Sequence, residues 1–336
     1  FKQKTAYEIG VRLVGSEMCI RDRNNQGDKM TTHKKKILIT GAAGYIASQI
    51  LPTFREKYDL VLRDISTKDR QGNIVEGVEI ADFIDEDRTK YSHLFEGLDG
   101  IIHLGHKARN GNPLDHYFSE RENVQMVYNI LRTAYDNGVP RVVVASSNHA
   151  ADFYEHFLIH ERKMEMLETN RIPLSDNFYG WAKATYEHLG FLFSCGGEWG
   201  FRDSSGREKH TSLSSSGNKH LETVFVRIGA PRPLKIENYL PDLDLFKRDL
   251  GAYISPRDIT QLLMKSIEAK NIENEYGIPW QVVYGISNNT RAFWSLSNAR
   301  EKLGYAPEDD SEVKFREDVK KYLLTPDAPK GRVNSN

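Results

Sequence analysis

Residues Lys34 to Ala47 read KKKILITGAAGYIA. Ile37, Leu38 and Ile39 are an apolar run of strand type. Gly41, Ala42, Ala43 and Gly44 then turn the chain into a helix with apolar residues Tyr45, Ile46, Ile50 and Leu51. Strand, tight turn and helix in that order form the first unit of a parallel α/β sheet. Gly41 can take a backbone conformation closed to residues with a side chain, Gly44 lets a pyrophosphate approach the main chain, and the small Ala47 lets helix and strand pack closely. The first turn of the helix offers free N–H groups and the positive end of its dipole, both of which favour an anion.

Further strands follow at the spacing of alternating strand and helix. Leu60, Val61 and Leu62 end in Arg63 and Asp64; Val78 to Ile80 leads to Asp82; Gly100 to Leu104 leads to Gly105; and Val142 to Ala145 leads to Ser146, Ser147, Asn148 and His149. The last of these is continuously apolar, as in a sheet covered on both faces. Five strands between Lys34 and His149 therefore predict an open, doubly wound parallel sheet. Asp64 stands 23 residues after Gly41, near the spacing at which a carboxylate reaches the ribose hydroxyls of a dinucleotide. It would repel a 2′-phosphate and so favours NAD over NADP, with Arg63 acting against that preference; the alternative is a turn residue at a strand end. Asp82 lies where it would approach the adenine, Gly105 gives the backbone room beside the cofactor, and His103 reads as a packed strand-end histidine. A long helix is expected from about Pro113, with Val127, Ile130, Leu131 and Tyr135 on its apolar face, ending at Gly138. Asn123, polar among apolar neighbours, either holds the loop beside the cofactor or fills a local packing defect.

Composition bounds the remaining choices. The 336 residues are 39% hydrophobic and 28% charged, with a formal net charge of -1. Such balance gives no steering toward nucleic acid, and no apolar run reaches the roughly 18 residues of a membrane span. Two cysteines, Cys19 and Cys195, are too few for a disulfide framework and lack metal-ligand spacing, so a reducing cytoplasm and no metal are expected. Residues 1–29 lack clear periodicity; GSEMCIRD within them resembles a translated sequencing adapter, with Met30 as the natural start, and the alternative is a disordered extension.

In the second half, Tyr154 to Glu168 has helical composition and reads as a lid or an insertion. Ser175, Asp176 and Asn177 cap a helix that carries Tyr179, Gly180, Trp181, Ala182 and Lys183. Tyr179 and Lys183 are four residues apart and share a face. An adjacent ammonium favours the phenolate of a tyrosine whose pKa is otherwise about 10. Ser147, from the fifth strand, would orient the same substrate hydroxyl. Residues 196–219 read as a long loop, Glu222 to Ile228 and Gln281 to Tyr284 as strands, and Ile259 to Ala269 as a helix. Arg227 and Arg232 would each meet either an anionic substrate or a structural carboxylate. The expected division is a dinucleotide-binding and catalytic domain over 33–230, a smaller substrate lobe over 231–325 and a tail over 326–336.

GAAGYIA, the acidic strand end at Asp64, the ADF run at Asp82, ASSNHA and YGWAK occur in the order found in the extended short-chain dehydrogenases/reductases, the NAD-dependent epimerase/dehydratase family, which this sequence resembles from about Lys34 to Leu324. The resemblance implies a Rossmann sheet with NAD contacts at Gly41, Gly44, Tyr45, Ile46, Asp64, Asp82, Phe83, Leu104, Gly105, Asn123, Tyr179 and Lys183. It implies Tyr179 as the base, Lys183 as the group that lowers its pKa and holds the nicotinamide ribose, and Ser147 as the orienting hydroxyl. It also implies a homodimer. Within the family, SSNH at Ser146 to His149, YISPRD at Tyr253 to Asp258 and YGISNNTRAFWS at Tyr284 to Ser295 are similar to uronate dehydrogenases. That places Ser147, Asn148 and His149 at a monosaccharide or sugar-acid substrate. Ala108 and Ala230 replace serines expected to touch the sugar, and no carboxylate-binding arginine is evident after Ala230. Lys107, Arg109, Arg232 and Lys235 would then supply a replacement anion site. The alternatives are a sugar-nucleotide epimerase or dehydratase with tightly bound NAD, and a non-catalytic nucleotide-binding protein.

Overall fold

The computed structural model describes residues 34–196 and 220–325. The expectations for the leader 1–29, for the loop over 197–219 and for the tail 326–336 lie outside the described residues.

Among the described residues seven strands form one parallel sheet: β1 (Lys36–Thr40), β2 (Asp59–Asp64), β3 (Val78–Ile80), β4 (Gly100–His103), β5 (Arg141–Ser147), β6 (Glu222–Ile228) and β7 (Trp280–Gly285), in the order β3-β2-β1-β4-β5-β6-β7. All seven are the runs expected from the sequence. Side chains alternate between two buried faces, as the pleat requires. Ile37, Ile39, Ile102, Val143, Val224 and Val226 enter one core, and Leu38, Ile101, Val142, Val144 and Phe225 the other.

Among the described residues eight α-helical segments run in chain order: α1 (Tyr45–Lys57), α2 (His116–Asn137), α3 (Asp152–Tyr154), α4 (Phe178–Ser194), α5 (Leu243–Ala252), α6 (Pro256–Glu268), α7 (Ser311–Lys314) and α8 (Arg316–Tyr322). The first core is completed by Ile50, Leu51 and Phe54 of α1 with Ile259, Leu262 and Leu263 of α6. The second takes Val127, Ile130 and Leu131 of α2 with Ala182, Tyr186 and Phe193 of α4. Helices on both faces make the doubly wound arrangement, and the strand order reverses between β1 and β4, where such sheets open a crevice at their carboxyl edge. Register brings the chemistry to that edge: Thr40 pairs with both Arg63 and His103, and Ser147 with Ile228. A third apolar cluster is built from Leu234, Ile236, Tyr239, Phe246, Leu250, Tyr253, Val319 and Leu323. The sheet and this cluster interleave along the chain, because β7 and α6 belong to the sheet although they fall within 231–325.

Local differences from the expected elements have simple causes. Over 154–168 the helix is limited to α3 and one wide turn at Glu155–Ile159, after which Leu167 bridges to Trp294. Tyr154, Ile159 and Leu167 of this stretch enter the first core. Between β3 and β4 the chain makes two short 3-10 turns, Arg88–Lys90 and Ser92–Phe95. Residues 297–303 are helical, with a wide turn over Ala299–Leu303 closed by Gly304 at φ 68. Among the described residues no helix is long and apolar enough to cross a membrane.

Candidate active site

At Gly41 φ is 70, and a Cβ there would lie 2.6 Å from the Gly105 nitrogen and 2.7 Å from the Leu104 carbonyl carbon. Glycine is thus required for both conformation and space, since the turn rests on the end of β4. Gly44, at φ -76, needs no special conformation; a Cβ on it would meet the Gly41 oxygen at 2.9 Å. No side chain caps α1 and no acid stands in its first turn, so the helix start at Tyr45 and Ile46 keeps its donors for an anion. Asp64 Oδ2 accepts from the Ala43 N–H at 3.0 Å, which sets a carboxylate at the rim of the same turn. The Arg63 guanidinium is engaged by Glu79 at 2.6 Å and by the Leu62 carbonyl at 2.8 Å. Asp82 and Arg63 line a cavity of about 320 Å³ with Ala81 and Tyr91. Phe83, expected among the cofactor contacts, turns its ring away from that edge. The ring is buried against Tyr91 and Phe95, and the carbonyl accepts from Asn129 at 2.9 Å.

Ser147, Tyr179 and Lys183 converge beyond the end of β5. Asn177 starts α4 by accepting the Gly180 N–H at 2.9 Å, and its Nδ2 donates to Asp152 Oδ2 at 2.9 Å. Asp152 also holds His149 Nδ1 at 2.7 Å, so one carboxylate ties the turn after β5 to the start of α4. A Cβ at Gly180 would lie 1.9 Å from the His149 oxygen; only glycine allows this approach. Tyr179 is the residue before it, and Ser147 acts on its hydroxyl to lower the phenol. Lys183 is 3% exposed and donates to the Ala145 carbonyl at 3.1 Å, with Nζ 5.4 Å from the Tyr179 ring centroid. Burial pushes the Lys183 ammonium down to about 8. Burial also raises the Tyr179 phenol above its ordinary value, against the lowering effects of Ser147 and Arg109. Burial is the largest of these influences, so in the protein alone desolvation outweighs the groups that favour the phenolate.

The loop after β4 wraps over this group. Asn123, fully buried, accepts from the Lys107 N–H at 2.7 Å and donates to the Lys107 carbonyl at 3.0 Å. Of its two readings, the loop-holding one is correct. Lys107 is ion-paired with Glu122. Arg109 faces Glu120 at 3.6 Å, and Arg232 is paired with Asp249 at 2.9 Å. Each cation of the expected anion site other than Lys235 thus already faces a carboxylate. Asn148 is 2% exposed; its Nδ2 donates to the Ile228 carbonyl at 3.0 Å and its Oδ1 accepts from Arg248 at 2.6 Å. Arg248 in turn holds Glu155 at 2.7 Å and Asp249 at 2.9 Å. Asn148 and Arg232 are therefore the two ends of one polar chain; the buried Asn148 is used within it, in contrast with the expectation that it faces a sugar, whereas the Arg232 side chain is 58% exposed. His149 remains at the site, its ring 5.6 Å from that of Tyr179. Sequence reasoning missed Glu120, Asp152, Gly180 and Arg248. Of these only Glu120 left a signal, three residues before Asn123 on the same helical face.

His103 is the packed histidine expected, 1% exposed, with Nδ1 2.6 Å from Thr40 Oγ1. Burial and the nearby Lys183 hold it down to about 3. The unfolded chain, titrating near about 6.5, binds a proton there that the folded chain refuses. Stability is thus complete above about pH 6.5 and falls as pH drops toward 3, by on the order of 4 kcal/mol at most. In His103→Gln the loss of thermal stability between pH 7 and pH 5 should be smaller than in the native protein; equal losses would show that His103 does not carry the effect.

A Rossmann sheet with an uncapped glycine turn, a ribose-side carboxylate and a Ser, Tyr and Lys group at its carboxyl edge defines a dinucleotide-dependent enzyme of the short-chain type. The family model described as "NAD dependent epimerase/dehydratase family" matches residues 37–193. A uronate dehydrogenase of Pseudomonas syringae pv. tomato is 30% identical, the match covering 84% of this chain and 85% of the relative. An NAD-dependent glucose-6-phosphate dehydrogenase of Haloferax volcanii is 29% identical over 82% of this chain and 94% of the relative. A crystal structure of a mutant uronate dehydrogenase from Agrobacterium tumefaciens, complexed with NAD, superposes with a TM-score of 0.59 at 25% identity, covering 88% of this chain and 91% of that one. The chain belongs to the NAD-dependent epimerase/dehydratase family, the extended short-chain dehydrogenases/reductases.

The family's cofactor fits the residues present: the space at Gly41 and Gly44, the uncapped α1 and Asp64 form a cradle for a dinucleotide. Asp64→Ala should weaken NAD binding about tenfold, as loss of a charged hydrogen bond predicts. Titration of protein fluorescence with NAD reads this directly, and an unchanged dissociation constant would remove Asp64 from the ribose site.

Proposed function

We propose that the protein oxidises a hydroxyl of a monosaccharide or sugar acid with NAD, in the manner of a uronate dehydrogenase. The observation that carries this reading is the convergence of Ser147, Tyr179 and Lys183 at the carboxyl edge of the sheet beside the glycine turn. NAD, when bound, supplies the hydride acceptor. Gly41, Gly44, Tyr45, Ile46, Asp64, Asp82, Leu104 and Gly105 cradle it, while Asn123 acts by holding the Lys107 loop. Ser147 orients the substrate hydroxyl, and Tyr179 takes its proton as the C–H bond on the same carbon gives up its hydride. Lys183 holds the nicotinamide ribose and favours the tyrosinate. His149, fixed by Asp152, lines the sugar side. An anionic substituent would compete with Glu122 for Lys107 and with Asp249 for Arg232. A cytoplasmic homodimer is part of the same proposal.

The test is NADH formation with a panel of uronic acids, neutral aldoses and sugar phosphates. Turnover of one class supports the reading and names the substrate. A flat panel, with stoichiometric NAD retained through purification, would overturn it in favour of an enzyme that recycles its cofactor on nucleotide-linked sugars.

A further inference from the structure

The loop after β4 carries a cation for which the reaction as written has no use. Arg109 lies with Cζ 4.4 Å from the Tyr179 ring centroid, nearer than Lys183 Nζ at 5.4 Å. Its Nε is 3.6 Å from Glu120 Oε1, a carboxylate whose side chain has no exposed surface. That oxygen has no hydrogen-bond partner among the described residues. An ionised carboxylate so buried needs a cation beside it. Glu120 is fixed by Asn123 Nδ2 at 3.1 Å, and Asn123 clamps the Lys107 main chain from both sides. Residues 120 and 123 are neighbours on one face of α2, and they grip loop residues 109 and 107. Two anchors, two residues apart in the loop, set the guanidinium against the tyrosine ring.

We propose that Arg109, held by Glu120, is a positioning residue for Tyr179: a second fixed cation, beside Lys183, that stabilises the tyrosinate. The proposal rests on the reading of Tyr179 as the base. A guanidinium is attracted to the face of an aromatic ring, and the attraction strengthens when ionisation delocalises negative charge into that ring. The other charged or titratable groups facing Tyr179 are Lys183 from its own helix, His106 from the Arg109 loop, Glu120 from α2, and His149 and Asp152 from the turn after β5. Burial and the neighbouring cations keep His106 neutral, so it adds no charge. Glu120 and Asp152 raise the phenol and Arg109 lowers it. The arginine also explains how Glu120 is tolerated so near the reacting group, since its guanidinium lies beside both the carboxylate and the ring.

The experiment places a fluorinated tyrosine at position 179 alone and follows its ionisation by fluorine NMR in the native background, in Arg109→Gln and in Arg109→Lys. Arg109 is a partly exposed loop residue, and the dispersion of the fluorine resonance reports directly that each variant is folded. Arg109→Gln should move the midpoint up by about one pH unit, as loss of an opposite charge at this distance predicts, and Arg109→Lys should keep most of the native value. A midpoint that stays put or falls in Arg109→Gln overturns the proposal. So does Arg109→Lys shifting as far as Arg109→Gln, because charge would then not be the cause. No sugar enters the titration, so a flat substrate panel leaves its outcome independent.

Discussion

Tyr179→Phe should lower kcat by about a thousandfold, the middle of the range that a positioned general base contributes. NAD affinity should stay unchanged. The substitution removes one oxygen and keeps the ring, so the stacking with Arg109 and the edge contacts with His106 and His149 persist. What is lost is the only atom of the group able to take the substrate proton. Because burial raises the phenol, the phenolate fraction grows with pH across the accessible range, and kcat/KM of the native enzyme should rise with pH on its alkaline side. The variant should show no such limb. Stopped-flow turnover with the active sugar, paired with NAD titration by protein fluorescence, checks both parts. A variant within tenfold of native turnover would overturn the assignment of Tyr179, whereas a parallel loss of NAD binding would mean that the hydroxyl acts in the cofactor site instead.

The sheet was legible because parallel strands buried on both faces leave a continuous apolar trace. KILIT at β1 and the VVVA run of β5 are two cases, and each ends at a residue with a polar task. The glycine turn and the Tyr179 to Lys183 spacing were legible for a similar reason: both are local, fixed by backbone space or by one turn of helix. The polar supports of the site were not. Glu155 and Arg248 are 93 residues apart, and Asp152 and Asn177 are 25 apart; in sequence each looks like an ordinary surface residue. The direction of the Phe83 ring was not legible either, because its position beside Asp82 says nothing about which way the ring turns, and Tyr91 and Phe95 draw it inward. The helical composition of 154–168 misled because Tyr154, Ile159 and Leu167 enter the first core without forming one helix face.

Arg227 illustrates the point with the largest stability effect. It stands in the apolar strand ETVFVRI and is 1% exposed. Its guanidinium meets Glu187 of α4 through two hydrogen bonds, at 2.9 and 2.7 Å, and donates to the Tyr284 hydroxyl at 3.0 Å. Glu187 also accepts from Ser146 at 2.8 Å. It stands one turn after Lys183, and Ser146 precedes Ser147, so the pair joins the helix of the proposed base to the strand of its partner. Glu187→Ala would leave the guanidinium buried without its counter-charge, which costs about 3–5 kcal/mol. For a chain of this size that lowers Tm by on the order of 10 °C. Replacing both partners, with Glu187→Leu and Arg227→Met, should restore much of the loss, since apolar groups of similar volume need no compensation. Differential scanning calorimetry of the two single variants and the double variant measures the coupling. Recovery in the double variant identifies a structural pair. Had Arg227 instead received an anionic substrate, Arg227→Met alone would raise KM and leave Tm nearly unchanged. That result would overturn the structural reading and return the arginine to the sugar site.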